Sequence, residues 1–286
     1  MEQRFLLELD GKPAGRLFDF KSGGGKADVV ATGFITRKHL DAVKYEDMVL
    51  ACGTGMSRTF YDWLSSTFRR SYARKRGAVI TLDPRSNPIG RLDFWNALVT
   101  SLAMPALDAA SKDPAHMRIT IIPERTSFLA STPSQHLGTY ASPIAKSWLT
   151  GNFRIQIDGL ETDCRHVTKI ESVTLGQKTK TFSSGSNRTY EIEPTAITFS
   201  DLILELPKQF AGGFVEWFDR SAEGRTSDVD KNGTLDFLAP GTATPYFSVN
   251  LKDLRVHHLV TLSAVTVKVG LYCKEIDFSA GSSAVK

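Results

Sequence analysis

The sequence predicts a mainly β fold, a barrel or sandwich with one packed α-helix, duplicated in tandem. Three observations lead there. When the chain is shifted by about 150 residues, one half lies over the other, a period too long for a solenoid repeat and suited to two similar domains. Each half carries several short alternating apolar runs bounded by Gly, Pro, Asn and Asp, the pattern of strands and turns. Each half also carries a single convincing amphipathic stretch of helical period.

The elements follow in order. Phe5–Gly11 falls on Phe153–Gly159 at an offset of 148, both reading as an alternating strand that ends in an Asp-Gly turn. Tyr45–Leu50 falls on Phe199–Leu204, and Phe60–Leu64 on Phe214–Phe218, at an offset of 154. Gly77–Pro84 meets Gly233–Pro240 at 156, Pro88 meets Pro245 at 157, and Met117–Glu124 meets Val267–Lys274 at 150. The spacing predicts a helix from Ser57 to about Arg70, with Ser57 as N-cap and Phe60, Trp63, Leu64 and Phe68 on one face. Its counterpart runs from about Ala211 to Ser221, with Phe214, Trp217 and Phe218 on one face. Ala78–Leu82, Thr234–Leu238, Met117–Ile122 and Val265–Tyr272 read as strands. Many short strands around one helix suggest a small barrel or sandwich whose open end or edge the helix covers.

Two polar stretches occupy comparable places, Lys21–Lys44 and Gln177–Pro194, and read as long loops of the kind that order against a neighbour in an oligomer. Ser, Thr, Pro and Gly crowd between Thr126 and Lys146, where periodicity is lost. The expected organisation is therefore a barrel-like domain over 1–130, a linker over 131–147 and a second barrel-like domain over 148–286, with a loose tail from Ala280.

At 286 residues and 41% hydrophobic content, each half is long enough to bury a core of its own. No stretch approaches the roughly 20 apolar residues of a membrane helix, and the N-terminus lacks the apolar region of a signal peptide, so a soluble, cytoplasmically made product is expected. Cys52, Cys164 and Cys273 show no metal-ligand spacing, and their odd number argues against a disulfide framework. Net charge is +4, divided as +6 over residues 1–146 and −2 over 147–286, an asymmetry that suits contact between unlike faces in an assembly.

The ordered blocks resemble a family. Tyr45-Glu46-Asp47 leads into a helix with the aromatic-x-Trp pattern Tyr61-Asp62-Trp63. The basic turn Arg74-Lys75-Arg76-Gly77 enters Ala78–Asp83, and Arg91–Ala97 follows as an aromatic strand ending in Asn-Ala. This set resembles the tail-tube proteins of contractile-tailed phages and of phage-like contractile injection systems, across nearly all of 1–125 and more faintly 148–280. The resemblance implies a structural protein made in a bacterial cytoplasm and built into a virion tail or tail-like particle. It implies self-assembly into rings, with tube, spike, baseplate and sheath proteins as partners, no direct membrane insertion and no specific nucleic acid. Family members usually supply one tube domain to a hexameric ring. A chain with two then suggests a trimer forming a pseudo-hexameric channel, either a tube ring or a baseplate hub that starts the tube on a trimeric spike. A twin-barrel module that binds a ligand or peptide stands as an alternative of another class.

No residue set nominates an enzyme, and no catalytic, cofactor-binding or metal-ligating residues are assigned. Asp228-Val-Asp230-Lys-Asn232-Gly233 opens like a calcium loop, but Ala239 stands where the closing Glu belongs, so a hairpin turn is the better reading. The run Arg69–Arg76 has one aromatic and could track phosphates, but it follows a helix C-terminus, where cations are favoured anyway. Gly23-Gly24-Gly25-Lys26 lacks Walker spacing, and Gly53–Ser57 is not a hydrolase elbow. His39, His116, His136, His166, His257 and His258 form no ligand pair, and strand alternation is expected to point His257 and His258 to opposite faces. Trp63 and Trp217 are read as core anchors.

Overall fold

A computed structural model describes residues 4–32, 37–130, 148–183, 190–222, 229–239 and 241–280. In the first half, β1 (Arg4–Leu9), β2 (Lys12–Lys21), β3 (Gly25–Thr32), β4 (Arg37–Tyr45) and β5 (Met48–Cys52) precede helix α1 (Arg58–Phe68). After it come β6 (Lys75–Leu82), β7 (Pro88–Met104), β8 (Leu107–Asp108), β9 (Met117–Ile122) and β10 (Arg125–Ala130). Antiparallel pairing runs from β1 to β2, β5, β9, β7, β6 and back to β1, so these strands close into a barrel without a free edge. Alternation drives closure: Met48, Leu50 and Cys52 of β5, with Met117, Ile119 and Ile121 of β9, all turn into the core. The β1–β2 turn needs left-handed backbone at two successive residues, and Asp10 (φ 50°) and Gly11 (φ 78°) supply it.

The second half repeats the plan with β11 (Phe153–Ile157), α2 (Glu161–Cys164), β12 (Lys169–Ile170), β13 (Val173–Ser183), β14 (Tyr190–Phe199) and β15 (Leu202–Pro207). Helix α3 (Gly212–Ala222), β16 (Lys231–Leu238), β17 (Pro245–Thr261), β18 (Thr266–Tyr272) and β19 (Glu275–Ala280) complete it. Strands pair in the corresponding order, β11 to β16, β17, β18, β15 and β12. Even the irregularities repeat: β7 bulges between Val99 and Ser101, and β17 between Val256 and His258. One difference breaks the symmetry. Where β2 joins β1 to β5, the second half has the short α2 and the two-residue β12, whose outer edge pairs with β8 of the first half. Leu160, Cys164 and Val167 are buried at this gap, and no pairing joins β11 to β12.

The fold class expected from the sequence is the one observed, a duplicated mainly β architecture. Helix α1 starts at its expected cap, with the Phe60 N–H donating to Ser57 Oγ at 3.4 Å. Trp63 and Trp217 do anchor the core: the indole N–H of Trp63 donates to the Ala73 carbonyl at 2.8 Å, and that of Trp217 to the Val229 carbonyl at 2.6 Å. Apolar side chains from both halves form one continuous core.

Two expectations need correction. The polar stretches Lys21–Lys44 and Gln177–Pro194 are not open loops. Most of each is a β-hairpin, β3–β4 and β13–β14, with residues 33–36 and 184–189 outside the described set. Their polar side chains hide the alternation because a two-stranded arm exposes much of both faces, so periodicity does not announce it. The stretch of lost periodicity from Thr126 also begins in a strand, since Thr126–Ala130 belongs to β10 and pairs with β7. Residues 131–147, with His136, the tail beyond Ala280 and Asp228 lie outside the described residues.

Candidate assembly interface

The residues that could have carried chemistry are engaged structurally. Within the basic run, Arg69 pairs with Asp277, Lys75 Nζ lies 2.5 Å from Asp10 Oδ2, and Arg74 Nη2 lies 2.8 Å from Glu193 Oε1. These cations bind carboxylates of the chain itself, which leaves less charge to attract phosphates. Asp230 of the calcium-like sequence accepts from Arg255 Nε at 2.7 Å and from Lys274 Nζ at 2.5 Å. Burial opposes ionisation of its carboxyl, but those two hydrogen bonds outweigh it and hold the group below the usual carboxylate range. Two cations already satisfy the carboxylate, and no cluster of metal-ligating side chains occurs among the described residues.

Gly23 packs against the Glu46 carbonyl, where an added Cβ would lie 2.0 Å from that oxygen, so the Gly-rich segment is a packed turn into β3. The bulge in β17 upsets the alternation expected for His257 and His258: their rings sit 6.3 Å apart, and His257 Nε2 lies 3.2 Å from Asp201 Oδ2. Cys52 is fully buried and its thiol is pushed up strongly by burial, while burial pushes Cys164 up to about 12. Both are inert packing residues.

What the two barrels do build is a seam. Helix α1 of the first half lies on β19 of the second: Ser65 Oγ donates to the Phe278 carbonyl at 2.9 Å, and Phe68 and Phe278 pack with ring centroids 5.8 Å apart. Tyr61 stacks on Phe247 of β17 at 5.6 Å, and its hydroxyl donates to the Thr54 carbonyl at 2.9 Å. Beside the helix, the β13–β14 hairpin adds to the end of β7, with Val173 opposite Met104 and Gly176 opposite Ser101. Glu124 fastens the hairpin further: its carboxylate accepts the Ile192 N–H at 3.0 Å and faces Arg74 at 3.8 Å. This strand exchange has no sequence signal beyond the repeat, because main-chain pairing at an edge is indifferent to most side chains.

The seam joins unlike faces of two like barrels, so each face has an unused counterpart. Phe278 in the seam is 5% exposed, whereas Phe128, its equivalent on β10, is 68% exposed beside Leu129 at 55%. Tyr61 is buried, whereas Val215, its equivalent on α3, is 40% exposed. Large apolar groups left open in clusters mark interaction surfaces. Among the described residues no helix is long and apolar enough to cross a membrane.

Residues 20–126 match the family described as T4-like virus tail tube protein gp19, so the first half carries the tail-tube signature that its residues suggested. The matched family is one of structural tail-tube proteins rather than of enzymes, and the similarity lies in the first half of the chain. Comparison with curated proteins finds no match.

Among solved structures, one similar chain lies in the sheath-tube complex of PVC, an extracellular contractile injection system, in its extended state. It is 19% identical with a TM-score of 0.36, over 45% of this chain and 89% of that one. A second lies in the baseplate of the anti-feeding prophage, 13% identical with a TM-score of 0.35, over 45% of this chain and 91% of that one. A third is Hcp1 from Flavobacterium johnsoniae, 17% identical with a TM-score of 0.30, over 45% of this chain and 96% of that one.

Proposed function

We propose that three copies of the chain close head to tail into a ring of six similar barrels around a channel, serving as a ring of the inner tube. The observation that carries this reading is the contrast between Phe278, covered by α1, and its equivalent Phe128, left open on β10. A seam between unlike faces leaves one face of each kind at the two ends of the chain, and repetition of the contact closes a ring or continues as a filament. The units are taken as 1–130 and 148–286 with 131–147 between them, and each unit supplies one sector.

The role proposed is mechanical. Barrel walls line the channel, the halves with net charges of +6 and −2 alternate around it, and sheath, spike and baseplate proteins are the partners. Neither specific nucleic-acid binding nor membrane insertion is required.

A second role within the same machine, a hub that starts the tube on a trimeric spike, is favoured by one difference between the barrels. The first closes through β2, whereas the second is interrupted by α2, so a ring of three chains has true three-fold symmetry and only approximate six-fold symmetry. Electron microscopy with native mass measurement on the purified chain tests the ring. Three-chain particles with six lobes are expected. A monomer that persists at high concentration overturns the reading and leaves the twin-barrel binding module.

A further inference from the structure

The hairpin that completes the seam inside the chain has a twin that pairs with no other strand among the described residues. β3–β4 corresponds to β13–β14 down to its irregularity: β13 slips against β14 between Gln177 and Thr179, and β3 against β4 between Ala27 and Val29, 150 residues earlier. The turns out of the two hairpins match as well. Ser200 N–H donates to the Thr174 carbonyl at 2.9 Å, and Glu46 N–H to the Gly24 carbonyl at 2.8 Å.

The receiving edges also correspond. Leu102 and Ala103 of β7 pair with Ile119 and Arg118 of β9, and Leu259 and Val260 of β17 pair with Val269 and Lys268 of β18. Yet the first edge is occupied by β13, whereas no strand among the described residues pairs with the outer side of β17 at Leu259–Thr261. Burial follows occupancy. Met104 is 3% exposed and Ala103 half-buried, while Thr261 and Val260 at the matching places are exposed.

We infer that the β3 edge of one copy adds to the open end of β17 in the next copy, in the register used inside the chain. This rests on the ring proposed above and deepens it by naming the strands. Transferring the observed pairs, Thr174 with Ala103 and Gly176 with Ser101, places Gly24 opposite Val260 and Lys26 opposite His258 of the neighbouring copy. The occupant is a second copy because the chain carries both the free strand and the free edge, and already makes the same junction once within itself. Strand addition of this kind takes its affinity from main-chain hydrogen bonds. It also brings exposed Val29, Leu40 and Val43 of the hairpin towards another barrel, where Ile197, the equivalent of Val43, is already packed against the core.

The two junctions are not fastened alike. Arg74 and Glu124, which grip the second hairpin, are replaced at the matching places by Asp230 and Lys274, and these pair with each other at 2.5 Å. The junction between copies therefore rests on strand pairing and apolar cover, and a ring parts at its inter-chain seams before its intra-chain ones.

Disulfide trapping tests the register, with Cys273→Ser as background. Gly24 tolerates a side chain, since an added Cβ meets only Glu46 Oε2, at 3.4 Å. Chains carrying Gly24→Cys are mixed with chains carrying Val260→Cys under mild oxidation, beside a mixture of Gly24→Cys with Leu262→Cys. The expected result is a covalent dimer formed several-fold faster in the first mixture, and a covalent trimer when one chain carries both Gly24→Cys and Val260→Cys. If rings are visible but the Val260 mixture forms no more dimer than the Leu262 mixture, the strand assignment is overturned while the ring stands. If the chains stay monomeric and unlinked, both fall.

Discussion

Arg74 in the first half reaches across to Ile192 and Glu193 in the second, donating from Nη2 to the Ile192 carbonyl at 2.6 Å and to the Glu193 carboxylate at 2.8 Å. On its other side it faces Glu124, whose carboxylate takes the Ile192 N–H. One guanidinium and one carboxylate thus hold both main-chain groups of a single residue in the hairpin, which ties the two barrels across their seam.

Arg74→Ala should therefore loosen the hairpin. A hydrogen bond involving a charged partner contributes about 1.5–3 kcal/mol, and partial exposure of Arg74 lowers that to roughly 1–2 kcal/mol. Urea unfolding should register the loss, with faster amide exchange over residues 173–183. Unchanged exchange there would mean that β7 alone holds the hairpin.

The paired indoles offer a matched test. Trp63→Phe and Trp217→Phe each remove a hydrogen bond to a carbonyl and leave a small cavity beneath a helix. Each should cost about 1–3 kcal/mol, read from chemical denaturation. If either substitution proved neutral, its indole could not be a core anchor.

Two equivalent glycines differ in the room around them. An added Cβ at Gly77 would lie 2.2 Å from the Glu8 carbonyl oxygen and 2.5 Å from Phe94 Cζ, whereas at Gly233 the nearest atom is the Gln156 carbonyl oxygen at 2.7 Å. Gly77→Ala should destabilise by about 1–3 kcal/mol and by more than Gly233→Ala, because its Cβ would meet a main-chain oxygen at closer range and a buried Phe94 ring besides. Thermal melts of the two variants decide the order.

Thiol accessibility gives a further check. Burial pushes all three thiols up, but Cys52 and Cys164 are buried whereas Cys273 is half-buried beside the Lys252 carbonyl. A thiolate-selective reagent at pH 8 should slowly modify Cys273 in the native chain and reach the other two only in denaturant. Rapid native labelling at Cys52 would contradict the closed first barrel.

Legibility in the residues followed the strength of local patterns. Helix α1 could be placed because Ser57 caps it and Phe60, Trp63, Leu64 and Phe68 recur at helical spacing above one barrel. The hairpins could not, since Lys26, Asp28, Lys178 and Lys180 make their strands look like solvated loop. Nor did anything in Leu160–Val167 announce a helical turn in the place of β2, because four residues are too few for a periodicity to emerge.

The residues alone settle the duplication, the twin helices and the absence of a recognisable catalytic motif, because each is written in side-chain pattern and spacing. Which half a strand pairs with is settled only in the folded chain. Val173–Gly176 joins Ser101–Met104 of the other barrel through main-chain groups that every residue but proline possesses, and the meeting depends on where α1, Arg74 and Glu124 stand in space.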